Sequence, residues 1–260
     1  MELSFLSLIS VLGLIFGSFA TVLTYRIPRG ESIVTPGSFC PECRQPIRSY
    51  DKIPLLSFAI LRGKCRTCHA KIGVTYPLIE ISTVLLFVIS FSIAKEVIQL
   101  ISFIVLAVVT MPLVVTDFQL KRLPNRLTYA GILIGLVMAI LASFRDGTAL
   151  PLKQGLLLSA GLGIAFFLLH VISRGGMGMG DVKLSIMLGA LLFSVKVTTV
   201  VAGLFIAFLL GSIAGVFMIV ARRATRKSAI PFGPFMLLGV WFALTFEKEI
   251  QSLIESLFRV

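Results

Sequence analysis

The sequence predicts an all-α, polytopic integral membrane protein with about eight transmembrane helices and a small soluble insertion after the first helix. Of its 260 residues, 57% belong to the hydrophobic set AVILMFWYC and only 14% are charged, whereas soluble domains are about 45–50% apolar and about 25% charged. The apolar residues form runs of membrane-spanning length. The 24 Lys and Arg residues, against 12 Asp and Glu, cluster between those runs. Together these observations exclude a soluble globule and a disordered chain.

Each predicted helix is an apolar run that could cross about 30 Å of hydrocarbon, a thickness that needs about 20 residues. In chain order the runs are Leu3 to Thr24, Pro77 to Ala94, Val97 to Thr116, Leu127 to Phe144, Gly155 to Ser173, Val182 to Val195, Val197 to Ala221 and Phe232 to Phe246. The sixth and eighth are the shortest. The chain therefore divides into a first transmembrane helix (1–25), a soluble insertion (26–76) and a seven-helix membrane core (77–260).

The basic residues predict the orientation of these helices. With the amino terminus outside, 18 of the 24 Lys and Arg residues lie on the cytoplasmic side, as the positive-inside rule requires. The insertion is then cytoplasmic. Because topology accounts for most of the net charge of +12, the sequence indicates a lipid bilayer as partner and no nucleic acid.

All four cysteines lie in the insertion as two C-x-x-C pairs, Cys40 with Cys43 and Cys65 with Cys68, separated by 21 residues. This pattern is typical of a structural zinc ion in a tetrahedral thiolate shell. Two disulfides or four reduced, buried thiols are the alternatives. Cytoplasmic thiols stay reduced, however, and so small an insertion needs a staple to fold. The sequence therefore predicts structural zinc, since a complete shell leaves no position for water.

Three acidic residues lie at the edges of apolar runs, where a charge is costly and usually functional. Asp117 follows the third run, Asp181 precedes the sixth, and Glu80 lies one turn inside the second. The predicted topology puts Asp117 and Asp181 on the same cytoplasmic face, where two carboxylates can act as general base and general acid in peptide hydrolysis. Gly178 and Gly180 would let the backbone approach a neighbouring helix or an extended substrate closely.

Each acidic residue also has a structural interpretation. Asp181 could cap the amino terminus of its helix. Asp117 could be an interfacial charge balanced by Lys121 and Arg122. Glu80 could cap its helix, pair with a basic residue of the insertion, or contribute to a second site.

Short motifs spread over nearly the whole chain also carry a family resemblance. In order they are Gly17-Ser18-Phe19 with Tyr25-Arg26-Ile27-Pro28, the two cysteine pairs, Asp51-Lys52-Ile53-Pro54-Leu55-Leu56-Ser57, Leu61-Arg62-Gly63-Lys64-Cys65, Tyr76-Pro77-Leu78-Ile79-Glu80, Asp117 with Leu123-Pro124-Asn125, Gly178-Met179-Gly180-Asp181-Val182-Lys183 and Pro231-Phe232-Gly233-Pro234. In these motifs the chain resembles the type IV prepilin peptidases, which are bifunctional leader peptidases and N-methyltransferases of the bacterial inner membrane.

The resemblance implies that Asp117 and Asp181 are the catalytic aspartates of a GxGD-type membrane protease, with Gly178 and Gly180 as the supporting motif. It implies prepilins and pseudopilins of pilus and secretion systems as substrates, cut on the cytoplasmic side after a glycine that ends a basic leader. It further implies methylation of the new amino terminus with S-adenosylmethionine, at a donor site that we expect near Glu80.

Two positions depart from the family pattern. Thr21 stands where the family usually has Asn. Lys52 replaces the Asn of the usual family motif Asp-Asn-Ile-Pro. Both positions concern the methyl-transfer half, so a peptidase without methyl transfer is one alternative function. Another is a membrane carrier with a zinc-bearing docking module, although carriers more often place their charges near the midplane of the bilayer.

Overall fold

The computed structural model describes residues 2–173, 176–222 and 230–258. Within these ranges the chain forms ten α-helices and two short 3₁₀ helices, and its only β structure is two isolated bridges. The α-helices are α1 (Glu2–Arg26), α2 (Leu56–Ile60), α3 (Thr75–Ile93), α4 (Val97–Leu120), α5 (Asn125–Asp146), α6 (Leu150–Ile172), α7 (Met179–Leu191), α8 (Val197–Val220), α9 (Gly233–Thr245) and α10 (Glu247–Phe258).

Six of these helices, α1, α3, α4, α5, α6 and α8, are long and apolar enough to cross a membrane. The prediction of an all-α multi-pass membrane protein is therefore confirmed. The number of span-length helices in the described residues is six, and not the expected eight. The sixth and eighth runs form α7 and α9, which have 13 residues each and are only about 20 Å long.

The apolar composition of α7 and α9 has a different cause from that of the long helices. Most residues of both short helices are buried against protein, and a helix that is hydrophobic on all sides belongs in a core as readily as in lipid. Hydropathy alone does not distinguish a protein interior from lipid, and for this reason the sequence predicts membrane spans at both helices.

The chain divides into two compact units. The first contains Met1–Ser92 and Leu106–Pro112. Within it α1 and α3 approach closely, since a Cβ atom on Gly17 would lie 2.9 Å from the Cα atom of Glu80. The chain between α1 and α3 consists of turns, short helices and two bridges, and it carries the four cysteines.

The second unit contains Ile93–Val105 and Leu113–Val260. In it α7 packs against both α5 and α6, and α8 packs against α9. Glycines allow these contacts. A Cβ atom on Gly135 of α5 would lie 2.6 Å from the carbonyl carbon of Ala190 in α7. The short helix that carries Asp181 is thus held directly against its neighbours.

Candidate active site

Asp117 lies inside the last turn of α4, which continues past the predicted end of the third run to Leu120. Asp117 is only 5% exposed. The Oδ2 atom accepts a hydrogen bond from the backbone N–H of Gly233, at the start of α9, over 3.1 Å. Among the described residues neither Lys121 nor Arg122 forms an ion pair with it. The interfacial charge balance considered for Asp117 is therefore not what holds its carboxylate.

Asp181 is the third residue of α7 and is 7% exposed. Its Oδ2 atom accepts a hydrogen bond from the backbone N–H of Gly178 over 3.2 Å. The helix cap is therefore Gly178, and Asp181 reaches back to it from within the first turn. The capping interpretation describes a real contact, and the same contact fixes the direction of the carboxylate.

The structure brings these two aspartates together within the second unit, where their carboxylates interact electrostatically. Leu123 links the segments that hold them. Its side chain lies 3.2 Å from the position of a Cβ atom on Gly180 and 3.2 Å from that of a Cβ atom on Gly233. Two buried carboxylates, each fixed through one oxygen by a glycine N–H, can exchange protons with a bound water and a peptide bond.

Further polar contacts position the segments before and after Gly178, and the partners in these contacts could not be identified from the sequence. The Nδ1 atom of His170 lies 2.6 Å from the carbonyl oxygen of Met177, and the Met177 N–H donates to Ser173 Oγ over 3.1 Å. Lys183 Nζ donates to Asn125 Oδ1 over 2.9 Å. The only signal in the sequence was that Lys183 and Asn125 belong to the quoted motifs.

The four cysteine sulfurs lie within 4.8 Å of one another, and those of Cys40 and Cys68 are 3.9 Å apart. A tetrahedral zinc ion with Zn–S bonds of about 2.3 Å places its sulfurs about 3.8 Å apart, so the cluster is positioned to bind a metal ion. The backbone N–H groups of Cys68 and Thr67 lower the pKa of the Cys65 thiol to about 6, whereas burial and the neighbouring thiols raise the pKa of Cys68 to about 11. Cys65 therefore loses its proton more readily than Cys68, and the thiolate is the form that binds metals.

The two cysteine loops share one backbone conformation. In each, the first cysteine donates its N–H to the carbonyl five residues later. The residue after the second cysteine, Arg44 or His69, is left-handed with φ of 60° or 57° and donates its N–H to the carbonyl of the first cysteine. The sulfurs are therefore aimed by backbone hydrogen bonds.

An ion pair fastens the second cysteine loop to the 3₁₀ helix Ser49–Lys52. The guanidinium of Arg66 donates two hydrogen bonds to Asp51, of 2.9 and 2.7 Å. These bonds hold the pKa of the Asp51 carboxyl below its ordinary value.

A cavity of about 390 Å³ lies in the first unit, and Glu80, Thr21 and Lys52 are among its lining residues. Its size falls in the range of about 300–1,000 Å³ that is usual for small-molecule sites. Glu80, 8% exposed, accepts a hydrogen bond from the N–H of Leu55 over 2.8 Å. Both departures from the family pattern thus lie in the wall of the same cavity as Glu80.

Models of known protein families match residues in both units. The family model described as Bacterial Peptidase A24 N-terminal domain matches residues 11–94, and that of the type IV leader peptidase family matches residues 101–220. The chain belongs to the type IV leader peptidase family. The resemblance stated from the motifs is confirmed, and membership of a peptidase family favours an enzyme over a carrier.

Curated relatives of this leader peptidase are similar to it along nearly their full length. The relative from Bacillus subtilis is 34% identical over 251 residues, which cover 95% of this chain and 96% of the relative. The relative from Neisseria gonorrhoeae is 31% identical, covering 94% and 91%, and that from Pseudomonas putida 29%, covering 95% and 93%. Each is named prepilin leader peptidase/N-methyltransferase. No solved structure matches the chain.

Proposed function

We propose that this leader peptidase is an aspartic endopeptidase that removes the basic leader of type IV prepilins and pseudopilins, and that it then methylates the new amino terminus. The observation that carries the proposal is the pairing of two buried carboxylates, Asp117 and Asp181, each held by a glycine N–H. The names of the curated relatives from Bacillus subtilis and Neisseria gonorrhoeae support both the substrate and the second activity.

Peptide hydrolysis at this pair needs no covalent intermediate. One carboxylate, ionised, takes a proton from a water molecule as the water oxygen adds to the scissile carbonyl carbon. The other carboxyl, protonated, gives its proton to the amide nitrogen as the C–N bond breaks. The leader leaves with a new carboxyl terminus and the mature chain with a free amine. General acid–base assistance of this kind contributes about 10²–10⁴-fold to a rate.

The cleavage would take place on the cytoplasmic side of the bacterial inner membrane, after a glycine. Support comes from the nine Lys and Arg residues of the segment 26–76 and the three at 121–126, segments whose side of the membrane depends only on the crossings of α1, α3 and α4. The resemblance to prepilin peptidases supplies the glycine and the basic leader. The nine basic and three acidic side chains of residues 26–76 would then face the same compartment as the leader.

The metal bound by the four cysteines is proposed to be zinc. Four thiolates complete a tetrahedral shell, so zinc would supply no catalysis and would hold the two cysteine loops together. The cluster fits this role because its sulfurs are already aimed by the backbone at one point.

The cavity of the first unit is proposed as the site of S-adenosylmethionine. This donor supplies an electrophilic methyl group on a sulfonium cation. Among its lining residues, which include five basic side chains, Glu80 and the aromatic ring of Tyr76 suit such a cation. Glu80 remains the residue that we assign to the site, in a shaping role through its bond to Leu55.

The test is to incubate detergent-purified protein with a full-length prepilin, with and without S-adenosylmethionine, and to measure product masses. We expect loss of the leader in both samples and one added methyl group in the second. Asp117→Asn and Asp181→Asn should each lower the cleavage rate at least 100-fold, by the general acid–base contribution of about 10²–10⁴-fold. Asp146→Asn, at an exposed aspartate of α5, is the matched control and should cleave normally.

Each part of the proposal can fail separately. Normal cleavage by either active-site variant would contradict the assignment of the pair. Cleavage without methylation would leave a peptidase only, with Thr21 and Lys52 as the first positions to examine. A folded wild-type protein that cleaves no prepilin would contradict the proposed function as a whole.

A further inference from the structure

The segment Pro231-Phe232-Gly233-Pro234 belongs to the motifs of the family resemblance, and the proposed chemistry uses from it only the N–H of Gly233. It opens α9, which begins at Gly233 and has nine of its 13 residues buried. The first N–H groups of a helix have no partner within the helix and must find one elsewhere. Pro234 has no N–H, and the N–H groups of Phe235 and Met236 return to the carbonyl of Phe232. The N–H of Gly233 instead donates to Asp117.

This hydrogen bond is made in a buried setting. It joins the Gly233 N–H to Asp117 Oδ2 over 3.1 Å, and Asp117 is 5% exposed. A hydrogen bond to a carboxylate is roughly twice as strong as one between neutral groups. The positive end of the α9 dipole also lies at this point, which favours a negative charge there.

The space around Gly233 allows no side chain. A Cβ atom at this position would lie 2.8 Å from Asp117 Oδ2, and 3.2 and 3.3 Å from the two methyl carbons of Leu123. Any other residue would therefore push the carboxylate away from the N–H that holds it. The φ of Gly233 lies outside the left-handed region, so backbone conformation does not require glycine here. The proximity of the Asp117 carboxylate does.

The arrangement repeats the one at the second aspartate. There the N–H of Gly178, at the start of α7, donates to Asp181 Oδ2 over 3.2 Å. Each carboxylate is thus held through one oxygen by a glycine at the beginning of a short buried helix. Leu123 joins the two arrangements, since it packs beside Gly233 and beside Gly180, the residue before Asp181.

We infer that Gly233 is a positioning residue of the peptidase site, which fixes the Asp117 carboxylate as Gly178 fixes that of Asp181. The inference rests on the proposed peptidase function. It adds the start of α9, which lies outside the residues matched by the family models, to the two aspartate-bearing segments. The cleavage step should then depend on position 233 although the residue offers no side chain.

The experiment compares the cleavage kinetics of Gly233→Ala with those of wild-type protein on the same prepilin. We expect kcat to fall about 100-fold, as a misplacement of about 1 Å does, with KM changed less than about twofold. Methyl transfer to a pilin already lacking its leader should keep its wild-type rate, which also shows that the variant is folded.

A control separates positioning from packing. Gly13→Ala places a Cβ atom 2.9 Å from the Cα atom of Val84, in the contact between α1 and α3, and touches neither the aspartates nor α9. It should lower the melting temperature and leave kcat for cleavage near that of wild type. If Gly13→Ala lowered kcat as much as Gly233→Ala, the role of Gly233 would be packing and the inference would be wrong.

A second variant pair keeps the test decisive if Gly233→Ala folds poorly. Leu123→Ala removes the methyl groups that crowd position 233. In the double variant that combines Leu123→Ala with Gly233→Ala, the added Cβ atom therefore overlaps only with the Asp117 carboxylate. The double variant should cleave about 100-fold more slowly than Leu123→Ala alone, by the same displacement; equal rates would overturn the inference. A wild-type protein that cleaves nothing contradicts the proposed function and this role together, whereas equal kcat for wild type and Gly233→Ala contradicts this role alone.

Discussion

A single methyl group added at Gly135 should displace the helix that carries Asp181. A Cβ atom there would lie 2.6 Å from the carbonyl carbon of Ala190 and 2.7 Å from the backbone nitrogen of Leu191, whereas ordinary contact begins at 3.4 Å. Both obstructing atoms belong to the backbone of α7, so no side-chain rotation relieves the overlap. Either α5 or α7 must move by about 0.8 Å, because packed interiors leave no free space.

This displacement sets the size of the expected effect. Overpacking a core costs about 1–3 kcal/mol of stability, which a melting curve of the purified protein would measure. A shift of about 1 Å at a catalytic group can cost about 100-fold in rate. We therefore expect Gly135→Ala to lower kcat for leader cleavage between about 10- and 100-fold, and to leave methylation of a leaderless pilin unchanged.

Substitutions at two other glycines test whether the loss of kcat follows the severity of the overlap. Gly161 of α6 has no atom within 4 Å of its Cβ position, so Gly161→Ala should behave as wild type. Gly131 faces the side chain of Met187 at 2.5 Å, and a flexible thioether can partly yield, so Gly131→Ala should be intermediate. Wild-type kcat in Gly135→Ala, or equal losses in all three variants, would refute the reasoning.

Three further predictions concern the first unit. Cys65→Ser should remove the metal and lower the melting temperature, because three thiolates leave the shell open; unchanged zinc content by elemental analysis would contradict this. Arg66 lowers the pKa of Asp51, so their pair stabilises the fold above the ordinary aspartate pKa and loses that effect as the pH falls. The difference in melting temperature between wild type and Asp51→Asn should therefore narrow below about pH 4, and a constant difference would be inconsistent with the pair. Lys52→Asn removes a positive charge from the cavity wall and should lower KM for S-adenosylmethionine about two- to fivefold in methyl-transfer assays, whereas Lys153→Asn, outside the cavity-lining residues, should not.

The sequence was sufficient for the fold class because a lipid solvent leaves few options. Backbone polar groups in hydrocarbon must be satisfied within a helix or a closed barrel, so long apolar runs indicate helices. It was insufficient for α7 and α9, since an apolar residue facing protein and one facing lipid are the same in composition. Packing between helices decides the difference, and packing is a property of the whole fold.

The candidate site likewise contains some features that could be predicted from the sequence and others that could not. The cysteine cluster could be predicted because each C-x-x-C loop is local, and the approach of Asp117 to Asp181 followed from counting membrane crossings. The contact between Gly233 and Asp117 could not be predicted, since it spans 116 positions and uses a backbone N–H that every residue except proline possesses. The bond from Leu55 to Glu80 similarly depends on the path of the insertion.

The common backbone of the two cysteine loops makes them interchangeable modules. Since main-chain hydrogen bonds aim the sulfurs, the two residues between the cysteines are released from the metal site and free to diverge. They read Pro41-Glu42 in one loop and Arg66-Thr67 in the other, and only the second supplies a clamp on Asp51. A chimera with the first loop in both places would keep the four-cysteine cluster and lose that clamp, so the cluster and the contact with Asp51 can change independently of each other.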